Sequence, residues 1–268
     1  MNHIMKPIVM GILNVTPDSF ADGGRHFGRE AAMERAKIMI AEGVDIIDVG
    51  GESTRPGAAR ISVEEEQFRT IDLIKELASL SAAISIDTTR AQIAKEAIEA
   101  GAQYVNDVSG GLADPDMAPL IANNPQIQYV VMHWRGHSKN MNELARYDNV
   151  VGEVKDELDQ RVSDLLKAGV SPEQIILDPG LGFAKDAHHN WEILRHLDRF
   201  QLLGYPILIG ASRKRFLGEL IGTNIPDERE NASVALTSIL AGSGIWGVRT
   251  HSVKPHKEAI DVAMELMK

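Results

Sequence analysis

The sequence predicts an α/β protein, a single (β/α)₈ barrel of the TIM type with its active site at the C-terminal ends of the strands. Three observations carry that prediction. Eight short runs rich in Val and Ile recur along 268 residues. Helix patterns lie between them, at about thirty residues per strand–helix unit. Nearly every run also ends in polar groups that an apolar strand does not need, and buried polar groups cost stability unless they find partners, so tails of this kind point to a shared site.

In order, the strand-like runs are 8–15, 45–49, 83–86, 104–108, 128–133, 175–177, 206–210 and 247–250. Several are continuously apolar, as strands covered on both faces of a parallel sheet should be. Between them, 29–42 has apolar or small residues at Ala32, Met33, Ala36, Met39 and Ile40, with Gly43 as a stop. Ser62 opens SVEE, a capping-box pattern with Glu65. Further helices read at 90–100, 115–122, 150–168, 189–199, 228–241 and 255–267. Gly101, Gly169 and Gly242 follow three of them, where a left-handed residue can end a helix. An open doubly wound sheet is the alternative, but its first strand–helix turn should carry G-x-G-x-x-G, and NVTPDSF stands there instead. No linker or composition shift divides the chain, so 1–268 reads as one domain.

A net charge of -10 argues against a general nucleic-acid binder, which needs a basic face, yet leaves room for an anionic small ligand in a cleft with a few local cations. The absence of cysteine excludes disulfides, thiolate metal sites and a Cys nucleophile, and suits a reducing compartment. No secretory leader is legible at the N-terminus, and no run approaches the roughly 18 apolar residues of a membrane span, so a cytoplasmic protein is expected.

If the strand tails meet at one mouth, Asp87, Asn106 and Asp178 can line one pocket. Two carboxylates and an amide suit a planar ring bearing N–H donors and a carbonyl, such as a pterin or guanine-like ring. The bland alternative is that Asp87 and Asp178 cap turns. Lys214, Arg249 and His251 come from the last two tails and suit phosphate oxygens, although Arg213 and Arg215 also make Lys214 part of a basic turn. Period-two alternation points Arg249 and His251 to the same side. Met132 could form an apolar wall or simply pack. TPDSFADGG and GGESTRPG have the Gly, Pro and Ser content of lids over a reactive centre, and equally of idle surface loops. His133, His137, His188 and His189 have no zinc-ligand spacing, and there is neither a G-x-S-x-G elbow nor a Walker loop.

Taken in order, NVTPDSFADGG, DVGGESTRPG, SIDTT, NDVSGG, MHWRG, DPGLGFAK, SRKRFLG and VRTH resemble the successive signatures of the dihydropteroate synthases, along nearly the whole chain. The resemblance implies a transferase that joins 6-hydroxymethyl-7,8-dihydropterin diphosphate to 4-aminobenzoate in folate synthesis, by a dissociative route, with Mg²⁺ as cofactor and sulfonamides as inhibitors. It implies Asp87, Asn106, Asp178 and Lys214 as pterin ligands, with Met132 and Phe183 as apolar walls. Asn14, Arg249 and His251 would take the diphosphate, Asn14 also the metal, and Phe20, Thr54, Arg55, Pro56 and Ser212 the aminobenzoate. It further implies a homodimer. A pterin- or folate-binding barrel without this chemistry is the competing expectation. The family often has Asp where Ser252 stands, and an aliphatic residue at Thr250.

Overall fold

The computed structural model describes residues 5–15, 24–53, 60–136 and 141–268. Eight parallel strands form one sheet in the order β6-β5-β4-β3-β2-β1-β8-β7. They are β1 (Ile8–Asn14), β2 (Ile46–Gly50), β3 (Ala83–Asp87), β4 (Tyr104–Asp107), β5 (Gln128–Met132), β6 (Ile175–Asp178), β7 (Leu208–Ile209) and β8 (Gly247–Thr250). The ring closes through a parallel bridge between Leu177 and Ile207, where the Leu177 amide donates to the Pro206 carbonyl at 2.8 Å. The run expected over 206–210 is therefore a two-residue strand. Pro206 has no N–H to give, so the seam uses its carbonyl alone.

Ten α-helices surround the strands among the described residues: α1 (Gly24–Ala41), α2 (Val63–Leu77), α3 (Ala91–Ala100), α4 (Met117–Ala122), α5 (Val150–Lys167), α6 (Ala187–Arg195), α7 (Leu197–Gln201), α8 (Arg215–Ile221), α9 (Glu230–Ala241) and α10 (Val253–Leu266). Ser62 caps α2, its hydroxyl accepting from the Glu65 amide at 3.2 Å. The single helix expected over 189–199 is two, broken at His196, whose ring Nδ1 lies 2.9 Å from the Glu192 carbonyl and competes for the acceptor that the helix would use there. Helix α8 was not anticipated. Gly242 does not take the left-handed form expected of it; its φ is -85°, and the Met267 side-chain end lies close against it.

Strand parity sorts the apolar side chains into two cores. Met10, Ile46, Val130, Ile176 and Leu208 point inward and fill the barrel. Their neighbours, among them Val9, Ile47, Ile84, Val105, Val131, Leu177 and Val248, point outward and pack under the helices. The inward series then runs upward from apolar to polar: Met10 to Asn14, Ile46 to Asp48, Ala83 to Asp87, Tyr104 to Asn106, Val130 to Met132, Ile176 to Asp178. Register gathers them, because Asn14, Gly50, Asp87 and Asn106 are successive partners across β1 to β4, and Met132 pairs with Asp178.

Candidate active site

At the mouth, Arg249 of β8 is held by two inward carboxylates. Its Nε donates to Asp48 Oδ2 at 2.6 Å and its Nη2 to Asp87 Oδ2 at 2.7 Å. Asn106 Nδ2 donates to the same Asp48 oxygen at 2.9 Å. A carboxylate paired with an arginine can only accept, so Asp48 fixes the amide and leaves the Asn106 carbonyl oxygen facing away from it. Burial pushes Asp87 up to about 7, against the pull of Arg249 and with help from Asp48. Burial also opposes the charge on Arg249, but the two carboxylates outweigh it and raise its pKa.

Across the mouth, Asp178 Oδ1 accepts from the Gly180 amide at 2.7 Å, and burial raises its pKa although Lys214 works the other way. Lys214 donates to the Leu181 carbonyl and lies 4.8 Å above the Phe183 ring. Burial lowers Lys214 to about 8, offset in part by Asp178. Met132 is buried beside this turn and Phe183 is half-exposed. The inward row brings Asp87, Asn106, Met132 and Asp178 to one end of the barrel, and the turns after β6 and β7 set Phe183 and Lys214 beside them.

The Asn14 amide oxygen lies at this end too: a Cβ built on Gly50 would sit 3.4 Å from it and 3.7 Å from an Asp87 carboxylate oxygen. His251 is turned to Ser212, with Nδ1 3.1 Å from the hydroxyl, which also accepts from the His251 amide at 3.2 Å. Arg35 donates to the His251 carbonyl at 3.0 Å. Ser252 lends its hydroxyl to Arg213 at 2.9 Å, so local support for His251 comes from Ser212 and Arg35 instead. Phe20, Thr54, Arg55 and Pro56, expected around the aminobenzoate, lie outside the described residues.

Sequence reasoning quoted Asp48 within a motif but gave it no role. Its signal was a carboxylate at inward parity in the buried strand IIDVG, two residues below the glycine that ends it. Arg90 was missed as well. It binds Glu66 behind Asp87 and donates to the Ile61 carbonyl at 2.6 Å, while Thr88 donates to Glu66 at 2.6 Å. No spacing rule connects those positions, which only the folded chain brings together.

A model of the pterin binding enzymes matches residues 10–251. Among curated relatives, the dihydropteroate synthase of Mycobacterium leprae is 47% identical over 260 residues, covering 95% of this chain and 91% of the relative. A solved structure of the Xanthomonas albilineans dihydropteroate synthase with 4-aminobenzoic acid superposes with a TM-score of 0.92 at 38% identity, covering 98% of this chain and 94% of that one. The Yersinia pestis dihydropteroate synthase in complex with a sulfonamide drug gives a TM-score of 0.91 at 36% identity, with 98% and 94% covered. With a family model that spans residues 10–251 and relatives that match nearly the whole chain, the chain belongs to the pterin binding enzyme family and, within it, to the dihydropteroate synthases.

Proposed function

We propose that this mouth condenses 6-hydroxymethyl-7,8-dihydropterin diphosphate with 4-aminobenzoate to give 7,8-dihydropteroate and diphosphate. The observation that carries the reading is the buried set of Asp48, Asp87 and Asn106 around Arg249, facing Asp178 and Lys214. Acceptors on Asp87, Asn106 and Asp178 meet the N–H groups of a pterin edge, Lys214 meets its carbonyl or ring nitrogen, and Met132 and Phe183 cover its faces. Arg249 spends Nε and Nη2 on the two carboxylates, which leaves Nη1 to reach a phosphate oxygen, with His251 beside it.

The C–O bond at the pterin methylene breaks first, its electron pair leaving with the diphosphate, and Asp87 and Asp178 stabilise the positive charge that develops on the pterin. The amine lone pair of 4-aminobenzoate then forms the C–N bond, and the surplus proton passes to solvent. An aniline nitrogen needs no strong base for this. Ser212 and the two early loops, with Phe20, Thr54, Arg55 and Pro56, hold the aminobenzoate, and sulfonamides compete there.

Magnesium fits the mouth. The Asn14 amide oxygen lies 3.4 Å from where a Cβ on Gly50 would sit, while the neighbouring Asp87 Oδ2 is engaged by Arg249, so Asn14 would be the ligand the protein supplies. A hard ion that keeps water and phosphate ligands needs no more protein oxygens than that. When bound, it would neutralise charge on the leaving diphosphate. Two copies pair through α9 and α10, where Ile239, Val262 and Leu266 stand 74%, 60% and 84% exposed. The cysteine-free chain works in the cytoplasm, and no helix among the described residues is long and apolar enough to cross a membrane.

The test is diphosphate release by the purified protein with Mg²⁺ and both substrates. Release should require both and be suppressed by sulfonamide competitively with 4-aminobenzoate. No dihydropteroate above background would overturn the reading.

A further inference from the structure

Lys185 is a buried amine to which the proposed function gives no role. Its Nζ has three acceptors: His133 Nδ1 at 2.8 Å, the Gly180 carbonyl at 3.1 Å and the Phe183 carbonyl at 3.1 Å. Three acceptors match the three N–H groups of its protonated form, although burial lowers its pKa to about 7. The carbonyls belong to the turn after β6, and His133 is the residue after β5. One side chain therefore ties the two strand tails that carry Phe183 and Met132.

The tie is anchored at its far end. His133 Nε2 is 2.9 Å from Glu157 Oε2 on α5, and Arg135 Nε donates to that carboxylate at 3.1 Å. Arg135 stacks on the Tyr147 ring at 3.9 Å, and the Tyr147 hydroxyl donates to the Ala184 carbonyl at 3.0 Å, which returns the chain of contacts to the residue before Lys185. The two tails are also pressed together in their backbones. The His133 amide donates to the Asp178 carbonyl at 2.9 Å, and a Cβ on Gly180 would stand 2.5 Å from the His133 carbonyl oxygen, at a φ of +70° that favours glycine in any case. Ala184 holds a φ of +48°, a conformation a non-glycine residue adopts only when its surroundings impose it.

We infer that Lys185 is a positioning residue that sets the separation of the Met132 and Phe183 walls and holds Asp178 at the edge of the pterin slot. A hydrophobic residue would fill the same space at less cost in desolvation, but it would release the turn from His133. The inference rests on the proposed pterin reading of these walls. It predicts damage confined to one substrate, because the tie holds Met132, Phe183 and Asp178, the proposed pterin contacts, while Ser212 is bonded to Thr250 and His251 on the other side of the mouth.

Lys185→Met keeps most of the stem and removes all three hydrogen bonds. Calorimetric titration with the dihydropterin diphosphate should show its Kd raised at least tenfold, while the KM for 4-aminobenzoate stays within twofold. His133→Phe, which cuts the β5 side of the tie, should weaken pterin binding about threefold, and the double variant should be no weaker than Lys185→Met alone. A Kd for Lys185→Met within twofold of the parent, or equal losses for both substrates, would overturn the inference while leaving the site reading intact. Failure of the parent protein to bind the pterin would overturn both. Should Lys185→Met not fold, His133→Phe decides: a selective loss for pterin supports the tie, and an unchanged Kd sinks it.

Discussion

The lower and upper halves of the barrel interior are built from inward positions of one strand ring, two residues apart where β2 and β6 supply both, yet they follow opposite rules. Below, Met10, Ile46, Val130, Ile176 and Leu208 interlock as an apolar plug. Above, Asp48, Asp87, Asn106 and Asp178 are buried but polar around a partly exposed Arg249, and burial raises the pKa of both Asp87 and Asp178. The plug supplies stability. The upper ring draws on that stability to hold charges where a ligand can use them.

The comparison breaks most severely at Arg249, where the upper ring has its own structural core. Arg249→Met should leave Asp48 buried without its cation, costing about 3 to 5 kcal/mol in chemical denaturation. It should also lower kcat/KM for the dihydropterin diphosphate by roughly 10³-fold, equivalent to about 4 kcal/mol of transition-state interaction. Loss of activity with full stability would mean that Asp48 tolerates isolation. Ile176→Ala is the opposite case. It should cost about 2 to 5 kcal/mol of stability while kcat and both KM values stay near those of the parent, since only the plug is touched. A kinetic defect as large as the stability defect would show that the two halves are not separable.

Asp178→Asn sharpens the contrast at a lower amplitude. Loss of one charge-assisted contact, about 1.5 to 3 kcal/mol, should reduce kcat/KM for the pterin roughly ten- to a hundredfold. The melting temperature should hold or rise, because a carboxyl whose charge is disfavoured by burial has been removed. A clear fall in melting temperature would assign Asp178 to the turn alone. The smallest effect is on pH. The same kinetic constant should decline below about 7, as Asp87 takes up a proton, and above about 8, as Lys214 loses one. Lys214→Arg, which stays charged, should push the alkaline limb upward even if the overall rate falls; an unmoved limb would point to another group.

Much of this was legible in the chain. Continuous apolar runs ending in Asp, Asn, Arg or Lys gave the strand order and the inward tails, because parity converts sequence position directly into a direction in space. Gly101, with a φ of 113°, ended α3 as expected. What escaped was decided by contacts that skip along the chain. Helix α8 is seven residues with Gly218 in its middle, kept small by the close approach of Arg229 and the Thr223 carbonyl, and its pattern is too short for periodicity to register. The break at His196 depends on one ring finding one carbonyl. Asp48 and Lys185 were visible as letters, but their partners lie 201 and 52 residues away.

The fixed amide of Asn106 has a meaning beyond its own hydrogen bond. Since Asp48 takes one of its two N–H groups and so fixes which way the amide points, the mouth speaks to a ligand mainly in lone pairs: the carbonyl of Asn106, the free edges of Asp87 and Asp178, and the cation of Lys214 as the main reply in the other sense. A ring of the same size and flatness that offers a row of acceptors would find lone pair against lone pair along its whole edge. Selection at this mouth is therefore a matter of grammar before it is one of shape, and one buried carboxylate sets the grammar without touching the ligand at all.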